Sequence, residues 1–437
     1  MIDVDVVVIG AGFAGLAAAR ALTKAKKSVV LLEARDRVGG RVYSVTLEDG
    51  TWIDLGGQWA GPGQDHLLGA IADYDLESFA TWTKGDNLVV VDGREKRWRG
   101  TIPRLPVLDL LNLGIAQWRF ESMAKKVPLD APWSAPKAKE WDAQTLGDFL
   151  DRHVKRKAAR SLLDAGLESV FAASAHEMSL LHALFYVHSG KNLDVLLGTE
   201  NGAQATRVAG GMQKVAEALA KGLDIRFSTP ARTLVQDANG VTVNGTVRAS
   251  HAIVALPPKL AAKLVPERAK LADQTPMGRV IKHTAIYERP FWRERGLSGM
   301  SVTDRSPIHV VFDNSPPGEK PMVGVLMGFS EADEAKKLGA LSEDERKAAA
   351  LETFARLYGD EAKTPVRYLD HVWENDEWSG GCYGAFMPPG VWTSLGPTLR
   401  EPVGRIHWAG TETATKWSGY IDGAISSGER AAKEIVG

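Results

Sequence analysis

The chain is 437 residues long, 44% hydrophobic and 24% charged, with a formal net charge of −1. That length allows two to three domains of ~150 residues and a large buried core. A charge balance near zero argues against a phosphate-backbone binder and against a surface for anionic lipid, so neither nucleic acid nor membrane is an expected partner.

Cysteine usage narrows the chemistry further. Cys382 is the only cysteine, which rules out an intramolecular disulfide and a multi-cysteine metal site. It is either a buried, inert thiol or a single reactive sulfur, such as one that bonds a cofactor. No zinc spacing, nucleophile elbow or Walker loop occurs. His176, His182 and His188 recur every six residues, a spacing that turns each to a different face of a helix. No metal is therefore expected.

In chain order, the first signal is Val4 to Ile9, a valine-rich run of the kind buried on both faces of a parallel sheet. Gly10-Ala11-Gly12-Phe13-Ala14-Gly15 follows directly. A helical pattern from Leu16 to Lys24 comes next, then a second strand from Ser28 to Leu32 that ends in Glu33. Gly10 permits a tight turn, Gly12 lets the backbone approach a pyrophosphate, and Gly15 lets helix and strand pack closely. The N–H groups and dipole at the helix start would hold the phosphates. Glu33 suits a ribose 2′-hydroxyl and repels a 2′-phosphate, which sets NADP aside and leaves FAD and NAD open. Arg35 and the turn Arg37-Val38-Gly39-Gly40-Arg41 add a second glycine corner flanked by cations. Asp54-Leu55-Gly56-Gly57-Gln58-Trp59 adds a segment whose bare backbone can lie against a planar ring.

The apolar run from Val6 to Ala19 has 14 residues broken by glycines, short of the ~20 that span a bilayer. No basic stretch precedes it to make a signal peptide. A soluble, cytoplasmic protein without a membrane anchor is the expectation.

Further along, Pro103, Pro106, Pro128, Pro132 and Pro136 punctuate helical patches, and Leu146 to Leu167 and Ser179 to Val187 read as helices. Gly210-Gly211-Met212 opens a helix through Leu219. Asp224 to Phe227 and Thr233 to Val235 read as strands, and Ala252 to Leu256 is an apolar strand stopped by Pro257-Pro258. Lys282 falls in an alternating strand on which Val280, Lys282 and Thr284 share one face. The last helix runs from Ile421 to about Val436.

The N-terminal segments resemble the FAD-dependent amine oxidases, the monoamine oxidase family. The likeness is tightest near the C-terminus. Trp373, Trp378, Ser379-Gly380-Gly381-Cys382-Tyr383, Met387-Pro388-Pro389-Gly390, Ala409-Gly410-Thr411-Glu412-Thr413-Ala414 and Trp417-Ser418-Gly419-Tyr420 follow the family pattern almost continuously. The resemblance implies FAD rather than NAD. It also implies an α/β fold in which a Rossmann-like FAD-binding domain of the glutathione-reductase type is interleaved with a mixed α+β substrate domain. The FAD-binding parts would be 1–79, 208–272 and 376–437. The substrate parts would be 80–207, expected to be helical, and 273–375.

By the same likeness, the fingerprint residues Gly10, Gly12, Phe13, Ala14 and Gly15 would bind the cofactor, as would Glu33, Ala34, Arg35, Gly40 and Arg41. Gly56 to Trp59, Trp373, Gly410, Thr411, Glu412, Tyr420 and Ile421 join them, and Ala231 would touch the adenine through its backbone. Cys382 matches the cysteine that bonds the flavin 8α-methyl carbon in covalent members, implying an 8α-S-cysteinyl link. Tyr383 and Tyr420 match the aromatic pair that walls the amine site. Lys282 matches a lysine that holds a water at the flavin N5. Leu196, Leu197 and Gln204 match cavity-lining positions, and Val310 stands where some members carry a bulky aromatic gate.

The implied reaction is oxidative deamination of a primary amine. Hydride passes to flavin N5, the imine hydrolyses to aldehyde and ammonia, and oxygen is reduced to hydrogen peroxide. The implied partners are a small amine and molecular oxygen, with a homodimer left open. No acidic residue is placed in the cavity by motif, so a diamine preference is not supported. Two rival readings stay open. An amino-acid oxidase would need a cavity arginine, which no motif supplies. Lys282, Tyr383 and Tyr420 argue against a catalytically idle flavoprotein scaffold.

Overall fold

A computed structural model of the protein describes residues 1–91, 93–100, 106–304, 306–318 and 323–437. The valine-rich run becomes β1 (Ile2–Ile9), followed by α1 (Phe13–Lys24) and β2 (Val29–Leu32). β1 pairs in parallel with β2 on one edge and with Val247–Val254 on the other. A strand covered on both faces shows no two-residue alternation, so Val6, Val7 and Val8 are all fully buried. Ile225–Arg226 and Ile406–Trp408 join in parallel. The antiparallel Leu234–Asp237 and Gly240–Val243 complete seven strands.

Two glycines make the first crossover as tight as it is. Gly10 has φ +100°, and a Cβ there would come within 2.9 Å of the Ala255 carbonyl oxygen. A Cβ on Gly15 would strike the Gly10 carbonyl itself. Bare backbone is therefore what lets α1 start against the ends of β1 and Val247–Val254.

A second seven-stranded sheet has Val280–Tyr287 paired antiparallel to Gly324–Glu331 and Arg367–Val372. Val310–Asp313, Leu297–Thr303, Asp86–Val91 and Arg94–Trp98 extend it. Every residue of Val280–Tyr287 is buried. A helical layer including Leu146–His153, Lys157–Phe171, Leu180–Ser189 and Leu193–Leu197 packs around Phe149, Phe185, Tyr186 and Trp392.

The structure changes several expectations. Leu146 to Leu167 is not one helix. Asn112 bonds the His153 carbonyl (2.9 Å) and the Lys155 N–H (3.2 Å), so a tertiary partner replaces helical bonds and divides it into Leu146–His153 and Lys157–Phe171. Residues 80–207 are not purely helical either. Asp86–Val91 and Arg94–Trp98 form a hairpin because Leu88 finds apolar cover against Trp292 and Leu297 in the second sheet's core. The strand expected over 252–256 is Val247–Val254. Pro103 lies outside the described residues.

Two of the three histidines meet separate partners. His182 Nδ1 accepts from the Trp392 indole (3.1 Å), and His188 Nδ1 lies 2.9 Å from the Val127 carbonyl. Among the described residues no helix is long and apolar enough to cross a membrane.

Candidate active site

A cleft of about 370 Å³ is bordered by both ends of the chain. Gly10, Gly12, Phe13 and Ala14 contribute the turn after β1, and Glu33, Ala34 and Arg35 the end of β2. Gly40, Arg41, Gly57 and Ala231 also border it, as do Cys382, Tyr383, Gly410, Thr411, Tyr420 and Ile421. Two bare turns meet here. A Cβ on Gly40 would sit 3.3 Å from Gly12 Cα, and Gly39 N–H donates to the Ala11 carbonyl (2.9 Å).

Glu33 is 4% exposed and accepts from the N–H groups of Ala11 (2.7 Å) and Arg35 (2.9 Å). A carboxylate has about four acceptor positions, so capacity remains for a hydroxyl donor. Arg35 in turn is held by Asp376 and by Ser379 Oγ (3.0 Å). A bare helix start, an acid with spare acceptor capacity and a largely apolar wall fit a dinucleotide.

Gly15, Gly56, Gln58, Trp59, Trp373 and Glu412 do not border the cleft and instead brace it. A Cβ on Gly56 would come 3.0 Å from the Trp373 ring, whose Nε1 donates to the Leu55 carbonyl (3.0 Å). Trp59 packs edge-on to Phe312 at 5.0 Å. Arg41 makes two bonds to Glu412 (2.6 and 3.1 Å) and a third to the Tyr383 carbonyl (2.8 Å). Burial pushes the Glu412 carboxyl up, but the Arg41 charge and hydrogen bond outweigh it and hold the group below its ordinary value. This pair fastens the arginine-flanked corner to the C-terminal turn. Glu412→Ala strands a largely buried guanidinium, so we expect it to cost about 3 kcal/mol or more in urea unfolding. Because the folded value is depressed, the stability advantage of Glu412 should vanish as pH falls through that value. A loss under ~1 kcal/mol would mean that the pair behaves as an exposed one.

Lys282 lies within Val280–Tyr287, 2% exposed. Its Nζ donates to the Gly56 carbonyl (3.0 Å) and to Gln58 Oε1, and it stands 5.8 Å from the centre of the Phe329 ring. Gln58 is fixed in turn by donating to Asn314 Oδ1 (2.7 Å). Burial lowers the ammonium to about 7, against the opposing charge of Asp54.

Cys382 is 4% exposed, and burial pushes its thiol up to about 12 although Arg41 opposes the shift. The Cys382–Tyr383 peptide is cis. Tyr383 meets Phe329 edge-on at 6.3 Å, and Tyr420 meets Trp417 edge-on at 5.1 Å. Burial raises both phenols, so they are neutral donors.

Of the expected substrate residues, three come together. Gln204 Nε2 donates to the carbonyl of buried Leu196 (2.9 Å), next to Leu197, and its Oε1 is buried without a hydrogen-bond partner among the described residues. Val310 stands on the second sheet, opposite Phe329. None of the four borders the cleft described above.

Sequence reasoning missed Tyr186, Arg207 and Glu331. Tyr186 packs on Phe171 (5.0 Å) and Tyr420 (6.0 Å), and with Tyr383 it lines a second, small pocket. Its helix, Leu180–Ser189, is apolar on nearly all sides, so no periodicity singles it out. Arg207 is buried and donates to the carbonyls of Asn314 and Ser315 (3.0 Å each).

A largely parallel sheet, a glycine turn and two phenols at one cleft, with buried Lys282 outside its lining, fit a dinucleotide-dependent oxidoreductase. The sequence model described as flavin containing amine oxidoreductase matches residues 13–436, and the chain belongs to that family. It is 42% identical over 444 residues to a Mycobacterium tuberculosis protein named "Putative flavin-containing monoamine oxidase AofH", covering 99% of this chain and 96% of that one. Among solved structures it is similar to putrescine oxidase bound to putrescine. There the TM-score is 0.94 at 31% identity, with 100% of this chain and 99% of the other covered. It is also similar to cyclohexylamine oxidase from Brevibacterium oxydans, with TM-score 0.93, 31% identity and 99% of each chain covered. The protein is an FAD-dependent amine oxidase.

Proposed function

We propose that the protein converts a primary amine, oxygen and water into an aldehyde, ammonia and hydrogen peroxide. The carrying observation is that one cleft is bordered at once by the fingerprint turn, Glu33, Cys382, Tyr383 and Tyr420. Bound FAD supplies the acceptor for the hydride leaving the amine's α-carbon and the route by which two electrons reach oxygen. The helix start at Gly12, Phe13 and Ala14 would hold its phosphates, Glu33 its ribose, and the backbone of Ala231 its adenine. Cys382 Sγ would bond the 8α carbon, the thiol and that methyl group each giving up one hydrogen while two electrons pass to oxygen.

Tyr383 and Tyr420 would form a dry aromatic slot for the amine. A free alkylamine is protonated near pH 7, taking the ~10.4 of lysine as a guide, and giving up a proton across ~3 units costs about 4 kcal/mol. A slot that excludes water penalises the cation and so favours the neutral form that can release hydride. Lys282, fixed by Gly56 and Gln58, would hold a water and attract negative charge developing on oxygen. Leu196, Leu197, Gln204 and Val310 would shape the apolar end.

The proposed domain division at 1–79, 80–207, 208–272, 273–375 and 376–437 is supported by where the strands fall. All seven strands of the nucleotide sheet lie in the first, third and fifth segments. Peroxide release measured with benzylamine, phenethylamine, tyramine, putrescine and a set of amino acids tests the reading. We expect amines to be oxidised and amino acids not. Activity confined to amino acids, or none with any amine, would overturn it.

A further inference from the structure

Resting on the amine-oxidase reading above, we propose that Glu331 ends the amine cavity with a carboxyl group that selects substrates bearing a second cationic group, such as α,ω-diamines, over monoamines of equal length. Glu331 is the last residue of Gly324–Glu331 and lies opposite Val280. Side chains alternate along a strand, so Met327, Phe329 and Glu331 share a face. Met327 and Phe329 on that face pack with Val280, Cys382 and Tyr383. Phe329 stands beneath Lys282 and edge-on to Tyr383. Glu331 follows two residues later on the same face, ~6.6 Å further along the strand.

That carboxyl is fully buried, and among the described residues neither of its oxygens has a hydrogen-bond partner. The titratable groups acting on it are His309 and Glu168, and it acts in turn on Tyr383. His309 Nδ1 lies 3.3 Å from Glu168 Oε2, so the imidazole is shared with a second acid. Arg279 is committed to Glu177 and to the Ala332 carbonyl. Burial pushes the Glu331 carboxyl up to about 8, with His309 opposing and Glu168 adding, so the empty site avoids a bare buried charge by keeping a proton. The distal ammonium of a diamine would supply both the charge and the donors that these oxygens lack. No spacing rule could place this acid in the cavity, because its relation to Tyr383 arises only when the second sheet meets the C-terminal turn.

The test compares kcat/KM for 1,6-diaminohexane and hexylamine, with hexylamine as internal reference, in the FAD-loaded wild type, Glu331→Gln and Glu331→Leu. We expect the wild type to favour the diamine and both substitutions to lower the diamine-to-monoamine ratio about thirty-fold or more. Leucine fills the buried site without an unsatisfied polar group, so the variant should fold with an undiminished Tm. A wild type that prefers hexylamine, or a ratio that Glu331→Leu leaves in place, overturns the proposal. Should no amine turn over, the oxidase reading falls, and thermal shift then decides the inference. The diamine must raise the wild-type Tm more than hexylamine does, and that difference must disappear in Glu331→Leu. Equal shifts overturn it.

Discussion

Cys382→Ala protein, loaded with flavin and precipitated in acid, is expected to leave its yellow colour in the supernatant, while the unmutated protein keeps it in the pellet. Acid unfolds the chain and frees every noncovalent contact, so only a covalent bond can hold the chromophore. Cys382 is the sole cysteine, so one substitution removes every candidate thiolate. Its sulfur borders the cleft, and Arg41, which donates to the neighbouring Tyr383 carbonyl, favours the thiolate against the burial that pushes the thiol to about 12. The expected change is all or none. Colour in the wild-type supernatant would sink the tether while leaving amine oxidation standing. Retention by Cys382→Ala would mean that another side chain carries the link.

Lys282→Met is expected to lower kcat/KM for oxygen about a hundred-fold, the loss typical of removing one preorganised charged donor. The reductive step, followed without oxygen, should change far less, because the role proposed for Lys282 is on the oxygen side of the reaction. The ammonium has a value near 7, so it is charged below that pH. Its contribution to oxygen reactivity should decline as pH rises through about 7.

Stability carries a second sign. The unfolded lysine binds its proton up to about 10.5 and the folded one only up to about 7. Between these values the unfolded state holds more protons, and stability rises with pH by up to ~1.4 kcal/mol per unit. Lys282→Met should lose that slope. Equal oxygen kinetics in the two proteins would remove the lysine from the mechanism.

Much of this site was legible before any coordinates. The turn Gly10 to Gly15 and the acid Glu33 are read within a few tens of residues, and the last helix, Ile421–Val436, fell where its sequence pattern placed it. The break between Leu146–His153 and Lys157–Phe171 was not legible, because no glycine or proline marks it. Asn112, over forty residues earlier in the chain, makes it. Tyr186 was hidden for a related reason. Its helix is buried on nearly every side, and an apolar stripe that goes all the way round has no face to read.

Amino-acid order alone decided the family, the glycine turn after β1, the acid at the end of β2 and the C-terminal motif around Cys382, because each depends on contiguous residues and local backbone geometry. Only the tertiary structure decided what those segments meet. Lys282 reaches Gln58 across 224 positions, Arg41 reaches Glu412 across 371, and the Glu331 carboxyl is left without a hydrogen-bond partner among the described residues. Hydrogen bonding and charge act through space over a few ångströms. Pairings made so far apart in the chain leave no period in the sequence and exist only once the two sheets have folded together.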